Sequence, residues 1–274
     1  MPKTNTQPAL HYEIDDHTDP WKDRPYIVLQ HGFGRNGRFW YKWIPLLSRH
    51  YRVLRLDMRG FGQSRDGFSL GSGFNLDDLA ADVIKVLDNV GARNAHFVGE
   101  AFGGTLGMQV AGQYPDRIRT LSLLSAPVFL LPKLQTTFAL GETSWADAIK
   151  KHGIKKWAEQ TNNVSRFPPY MGPGFLDWYN SELARTDPET LAKFTELCRA
   201  YDQTKFLSQI TAPVLGVFST TREEQVEALR KHVKRLNMIK LDTEYFMVFL
   251  SHTEACADAV LHFASQHDGF SVRG

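Results

Sequence analysis

The sequence predicts an α/β protein: a mostly parallel sheet with helices on both faces and a helical segment inserted before the last strands. Three observations carry this. Short continuous apolar runs, YIVLQH at 26–31 and YRVLRLD at 51–57, have the make-up of strands buried on both faces. Through residue 126 such runs alternate with helical patterns, a β-α-β rhythm that calls for crossover connections and a parallel sheet. The rhythm stops between about 128 and 209 and resumes at Pro213.

In chain order, LHYEID (10–15) reads as an edge strand and 26–31 as a buried strand closed by Gly32. Phe39, Trp40, Trp43, Ile44 and Leu47 sit at helical spacing and predict a helix over 39–48. After the strand at 51–57 comes the turn chemistry of MRGFGQS, then an amphipathic helix over 76–90 with acids near its start. Residues 94–99 form the next strand, 102–114 a helix stopped by Pro115, and 118–126 another strand. Between 128 and 209 the chain is rich in aromatics and helix formers, without strand-like alternation. PVLGVFS from Pro213, a helix over 223–236, the strand NMIKLDTEY and a last helix from about 254 complete the chain. The expected organisation is a core of 1–128 and 210–274 with a helical cap of 129–209.

At 274 residues the chain is long enough for one such domain with an inserted lobe. Lys and Arg number 32 against 30 Asp and Glu, so no global field invites nucleic acid. No apolar run approaches the roughly 18 residues of a membrane span, and the polar N-terminus lacks the apolar region of a signal peptide. A cytoplasmic monomer or homodimer acting on a small molecule is the expectation, with no nucleic-acid or membrane partner. Cys198 and Cys256 show no CxxC or metal spacing and read as reduced structural thiols; neither a metal nor a cofactor is expected.

Four stretches stand in a telling order: HGFGRN at 31–36, DMRGFGQS at 57–64, the G-x-A-x-G of 99–103 followed by Gly104, and SHTEACADAVLHF at 251–263. Together they resemble the α/β-hydrolase superfamily in its capped form, close to esterases, enol-lactonases and hydrolases of meta-cleavage products. The resemblance covers nearly the whole chain. It implies that VGEAFGG is a strand-to-helix elbow holding residue 101 in a strained conformation above the sheet edge, with small residues at 99 and 103 where backbones crowd. It implies an oxyanion hole from the backbone amides of Phe102, at the helix start, and Phe33, in the loop after His31 and Gly32. His252, after the last strand and before the last helix, takes the place of the general base; His262 and His267 read as surface residues and His31 as a structural one.

The triad acid has no carboxylate at its usual place: Ser219, Thr220, Thr221 and Arg222 follow PVLGVFS. Glu223 is the nearest candidate and Glu224 the alternative, although both also suit the first turn of the 223–236 helix, where acids are stabilised by the dipole. At the nucleophile position stands Ala101. A serine there would complete GESFGG, so Ala101 reads as an introduced replacement of a nucleophile, serine first, with a natural non-catalytic relative as the other reading. The expected function is hydrolysis of a carboxylic ester or lactone through an acyl-enzyme, inactive in this chain. Cleavage of a carbon–carbon bond in a diketone-type substrate is the alternative, and ligand binding without turnover the rival from another class. Arg35 and Arg38, beside the presumed oxyanion loop, are candidates to clamp a substrate carboxylate, although a solvated arginine is the plainer role for each. Trp178 and Tyr170, from the aromatic insertion, are candidates to roof the substrate.

Overall fold

Seven strands form one sheet in the order β1-β3-β2-β4-β5-β6-β7. They are β1 (Tyr12–Asp15), β2 (Tyr26–Gln30), β3 (Arg52–Leu56), β4 (Ala95–Glu100), β5 (Ile118–Leu124), β6 (Val214–Ser219) and β7 (Leu236–Leu241). Only β1 runs antiparallel, against β3; all other pairs are parallel. The computed structural model describes residues 2–67, 70, 74–162, 166–270 and 272. Every residue of the central strand β4 is buried, and its apolar run pairs with β2 on one side and β5 on the other. In register, Gln30 lies opposite Gly99 and Glu100 opposite Leu124, so β2, β4 and β5 end at one edge. The loops that leave these strands therefore converge there, at the carboxyl edge where parallel sheets place their sites.

Before β5 come, among the described residues, the α-helices α1 (Ile44–Leu47), α2 (Leu76–Asn89) and α3 (Phe102–Gln113). Asn75 caps α2 by accepting the Asp78 amide, and Asp77 and Asp78 sit in its first turn, as the N-terminal dipole favours. The helix expected over 39–48 is broken into a 3-10 turn, Gly37–Trp40, and the single turn α1. Pro45 accounts for the break: it lacks an N–H and crowds the preceding turn, so no continuous helix passes through it. The aromatic face predicted there is nonetheless core, with Trp40 and Trp43 fully buried and the Trp43 indole donating to the Phe249 carbonyl at 2.9 Å.

Between β5 and β6 the chain runs through α4 (Pro132–Ala139), α5 (Trp145–His152), α6 (Ile154–Thr161), α7 (Pro173–Leu183), α8 (Pro188–Ala200) and α9 (Thr204–Leu207). Phe194 of α8 is the apolar link to the sheet side: fully buried, its ring lies 4.6 Å from Phe102, 4.8 Å from Phe61 and 5.6 Å from Phe33. Polar ties fasten α7 to the loop after β2, from Asn36 and Arg38 to Glu182 at 3.2 and 2.7 Å. The chain ends with α10 (Glu223–His232), β7, α11 (Val248–Ser251) and α12 (Thr253–Asp268). No helix among the described residues is long and apolar enough to cross a membrane.

Candidate active site

The elbow begins with two glycines whose missing side chains are required. A Cβ on Gly99 would run into the backbone of Gly103 and Gly104, and one on Gly103 into the carbonyl of Gln30. β4 can therefore turn directly into α3 while lying against β2. Ala101 takes the turn itself, with φ +46° and ψ −121°, a region a residue with a side chain enters only at a cost of about 1–3 kcal/mol. The turn is held from both sides: the Ala101 amide donates to Leu124 at 2.9 Å, and the Ala101 carbonyl accepts from Gly104 and Thr105.

Ala101, Phe102, Phe33 and Arg35 line one cavity of about 380 Å³, to which the helices between β5 and β6 contribute Phe138, Trp145, Trp157 and Tyr179. Phe102 opens α3, so its amide is one of the donors a helix start leaves without a partner. Neither the Phe102 nor the Phe33 amide donates a hydrogen bond to a described residue. Two residues with uncommitted N–H groups thus line the cavity together with Ala101, a setting in which such donors can receive negative charge.

The remaining parts of HGFGRN and DMRGFGQS hold this edge together. His31 is fully buried; its Nδ1 pairs with the Gly32 carbonyl at 2.9 Å and its Nε2 accepts the Met58 amide at 2.9 Å. That pairing makes Nδ1 the protonated nitrogen, and burial pushes the imidazole down to about 4 against the nearby Asp57 charge. His31 is thus a neutral structural residue. The Asp57 carboxylate accepts the amides of Gly37 and Gln63 at 2.7 and 2.9 Å and meets His11 at 3.0 Å, and these bonds hold it ionised below its ordinary range despite burial. Arg59 forks onto Asp82 of α2 with two bonds of 2.8 Å.

Several predicted site residues lie elsewhere. Arg35 borders the cavity, but its guanidinium is committed: Nε and Nη2 bond the two Glu100 oxygens at 2.7 Å each, and Nη1 donates to the Tyr179 hydroxyl at 2.7 Å. It fastens β4 to α7 and is not a free carboxylate clamp. Arg38 is drawn away to Glu182 and opens onto other clefts. Trp178 packs on Phe39 and Tyr41 outside the cavity. Tyr170 is 69% exposed and reaches the turn before His252 instead, donating its hydroxyl to the Ser251 carbonyl.

Glu223 is exposed at the start of α10, with its oxygens held by Lys240 at 2.8 Å and Arg230 at 3.3 Å. It is a surface ion-pair residue that the fold does not bring to His252, and Glu224 is likewise exposed. His252, at the start of α12, pairs its Nδ1 with Ser251 Oγ at 2.9 Å and does not line the cavity. Among the described residues no carboxylate forms an ion pair with it. Cys198 lines the cavity from α8, but burial raises its thiol well above the ordinary value, so it is protonated at neutral pH and a poor nucleophile. No group of His, Cys, Asp and Glu among the described residues is arranged to hold a metal ion.

Residues not anticipated from the sequence complete the cavity: Glu100, which anchors Arg35, and Arg166 and Arg222, which line it. Arg222 stands where the triad acid was sought, and its position after PVLGVFS was the one legible signal. Arg166 precedes the aromatic FPPY stretch and carried none.

Comparison with known proteins matches residues 25–164 to the family described as alpha/beta hydrolase fold. A protein of Stutzerimonas stutzeri strain A1501, provisionally named carbamate hydrolase RutD, is 30% identical over 218 residues, covering 75% of this chain and 76% of that one. Among solved structures, the enol-lactonase of Burkholderia xenovorans LB400 superposes with a TM-score of 0.84 at 24% identity, over 96% of this chain and 100% of that one. A thermophilic esterase from Thermogutta terrifontis, with malate bound, gives a TM-score of 0.78 at 17% identity, over 97% and 98%.

Proposed function

The chain belongs to the α/β-hydrolase fold family, and on that premise we propose that its cavity holds a small to medium carbonyl compound in the acyl-transfer geometry of a hydrolase. The observation that carries this reading is the backbone of Ala101. A strained turn with φ +46° lines the cavity beside two residues with uncommitted amides, and backbone strain of this kind concentrates at functional sites. In this reading the carbonyl oxygen of the ligand rests against the amides of Phe33 and Phe102. Its carbon lies above residue 101, and the aromatic insertion excludes water. A methyl group attacks nothing, so in the chain as written the acyl-enzyme does not form. Carboxylic esters and lactones lead as substrates. The names of the relatives support this class, since carbamates, enol lactones and esters all present an acyl carbon bonded to a heteroatom.

The second reading, a protein that binds its ligand without turnover, is favoured by Arg222. A positive residue stands where the family resemblance puts the acid, and among the described residues no carboxylate pairs with His252. The deciding experiment is Ala101→Ser, assayed against p-nitrophenyl esters, lactones and vinylogous diketones with mass spectrometry for a covalent acyl adduct. Ester or lactone hydrolysis with an adduct on residue 101 supports the first reading. Diketone cleavage alone moves the assignment to carbon–carbon hydrolysis. No adduct and no turnover, in a variant that retains its stability, leaves the binding reading.

A further inference from the structure

The cavity carries an unbalanced positive charge. Arg35 is neutralised by Glu100, but neither Arg166 nor Arg222 has a carboxylate within ion-pair distance among the described residues. Among the described residues Arg166 bonds only uncharged groups, chiefly the Asn162 side-chain oxygen at 2.6 Å and the Thr161 carbonyl at 3.3 Å. Arg222 has a buried Nε with no acceptor among the described residues. The acid on the cavity wall, Glu244, is exposed.

Both guanidinium groups are also oriented. The Arg222 guanidinium carbon sits 4.1 Å from the centre of the Phe246 ring, and that of Arg166 sits 5.3 Å from the centre of Phe138. A cation held over a ring at these distances keeps N–H groups with which it can still meet an acceptor. The cost of holding these charges together is visible in their acidity. Burial first, then the Arg166 charge, brings Arg222 down to about 10; burial first, with Arg35 contributing, lowers Arg166.

We propose that Arg166 and Arg222 form the receptor for a carboxylate of the ligand, so that the compound bound in the cavity is an aromatic or apolar acid whose anionic end replaces the missing protein counter-ion. This rests on the reading of the cavity as the ligand site. It adds that the ligand is anionic, and that residue 222 has become part of recognition where a triad acid was expected. A carboxylate between the two guanidiniums would satisfy the Arg222 Nε and offset their mutual repulsion; a neutral amide or ester could accept the bond but not offset the charge. The aromatic wall, with Trp145 and Trp157, would take the apolar body.

The test is equilibrium binding to the unaltered chain, followed by tryptophan fluorescence and calorimetry. The probes are benzoate, phenylacetate and 3-phenylpropionate, each paired with its primary amide. The acids are expected to bind about tenfold or more tightly than their amides, with the preference weakening as chloride is raised. Arg222→Met should abolish the preference and Arg222→Lys restore part of it; Arg166→Met should do the same as Arg222→Met and serves where the first variant fails to fold. Equal binding of acids and amides overturns the inference, as does an acid preference that survives both Met substitutions, or no saturable binding of any acid at millimolar concentration. The Ala101→Ser assay fails or succeeds independently: neutral esters hydrolysed by that variant without any acid preference in binding would sink the anion receptor and leave the hydrolase reading standing.

Discussion

Arg35 and Glu100, 65 residues apart in the chain, meet through two bonds of 2.7 Å with both side chains buried. Glu100 also accepts the Gly32 amide, so one carboxylate ties the end of β4 to the loop that carries Phe33. The pair lies directly beside the elbow, and the Arg35–Tyr179 bond extends it to α7.

Breaking this pair from one side should be expensive. Arg35→Met leaves a buried carboxylate without its counter-ion and is expected to cost about 3–5 kcal/mol in urea unfolding. The double variant Arg35→Met/Glu100→Gln keeps an acceptor for Gly32 and removes the stranded charge, so it should be more stable than Arg35→Met alone. Equal destabilisation in the two proteins would show that the ion pair is not what the single variant loses.

Ala101→Gly should behave against the usual rule for buried alanines. At φ +46° the Cβ is the source of strain, so its removal should leave stability unchanged or raise it by about 1 kcal/mol. The unfolding midpoint measures this directly. A loss of stability as large as that of an ordinary helical Ala→Gly change would mean that the elbow is not strained.

His31 should make the protein acid-sensitive in a defined window. Its folded pKa of about 4 lies below the ordinary 6.5, so between these values the unfolded chain binds the extra proton. The contribution of neutral His31 is complete above about pH 6.5 and falls away toward pH 4, amounting to about 3 kcal/mol. Unfolding free energy measured across that range should therefore fall as the pH is lowered, and His31→Gln should flatten the slope while lowering stability at pH 7. A slope unchanged in the variant would assign the acid sensitivity to other groups.

Phe194→Ala should loosen the insertion from the sheet. Its fully buried ring meets Phe33, Phe61, Phe74 and Phe102, so truncation is expected to cost about 3–5 kcal/mol. Proteolysis should then cut within the inserted helices before the core. Simultaneous loss of both parts would show that they unfold as one unit.

The sequence by itself determined the backbone frame. The apolar runs of β2, β3 and β4 and the small residues at 99 and 103 act through local sterics and burial, which neighbouring residues decide among themselves. That is why the parallel sheet was legible; the sharp turn at Ala101 was read from the family resemblance that the order of the four motifs carries. Only the tertiary structure decided where the charges went. Arg35 looked free in HGFGRN and is spent on Glu100; Glu223 looked like a triad acid and is held on the surface by Lys240 and Arg230. Arg222 looked merely like an absent carboxylate and lines the cavity with Arg166 from the inserted segment. A charged side chain is long, and its fate depends on which distant counter-ion folding delivers to it. Nothing in its sequence neighbourhood records that partner.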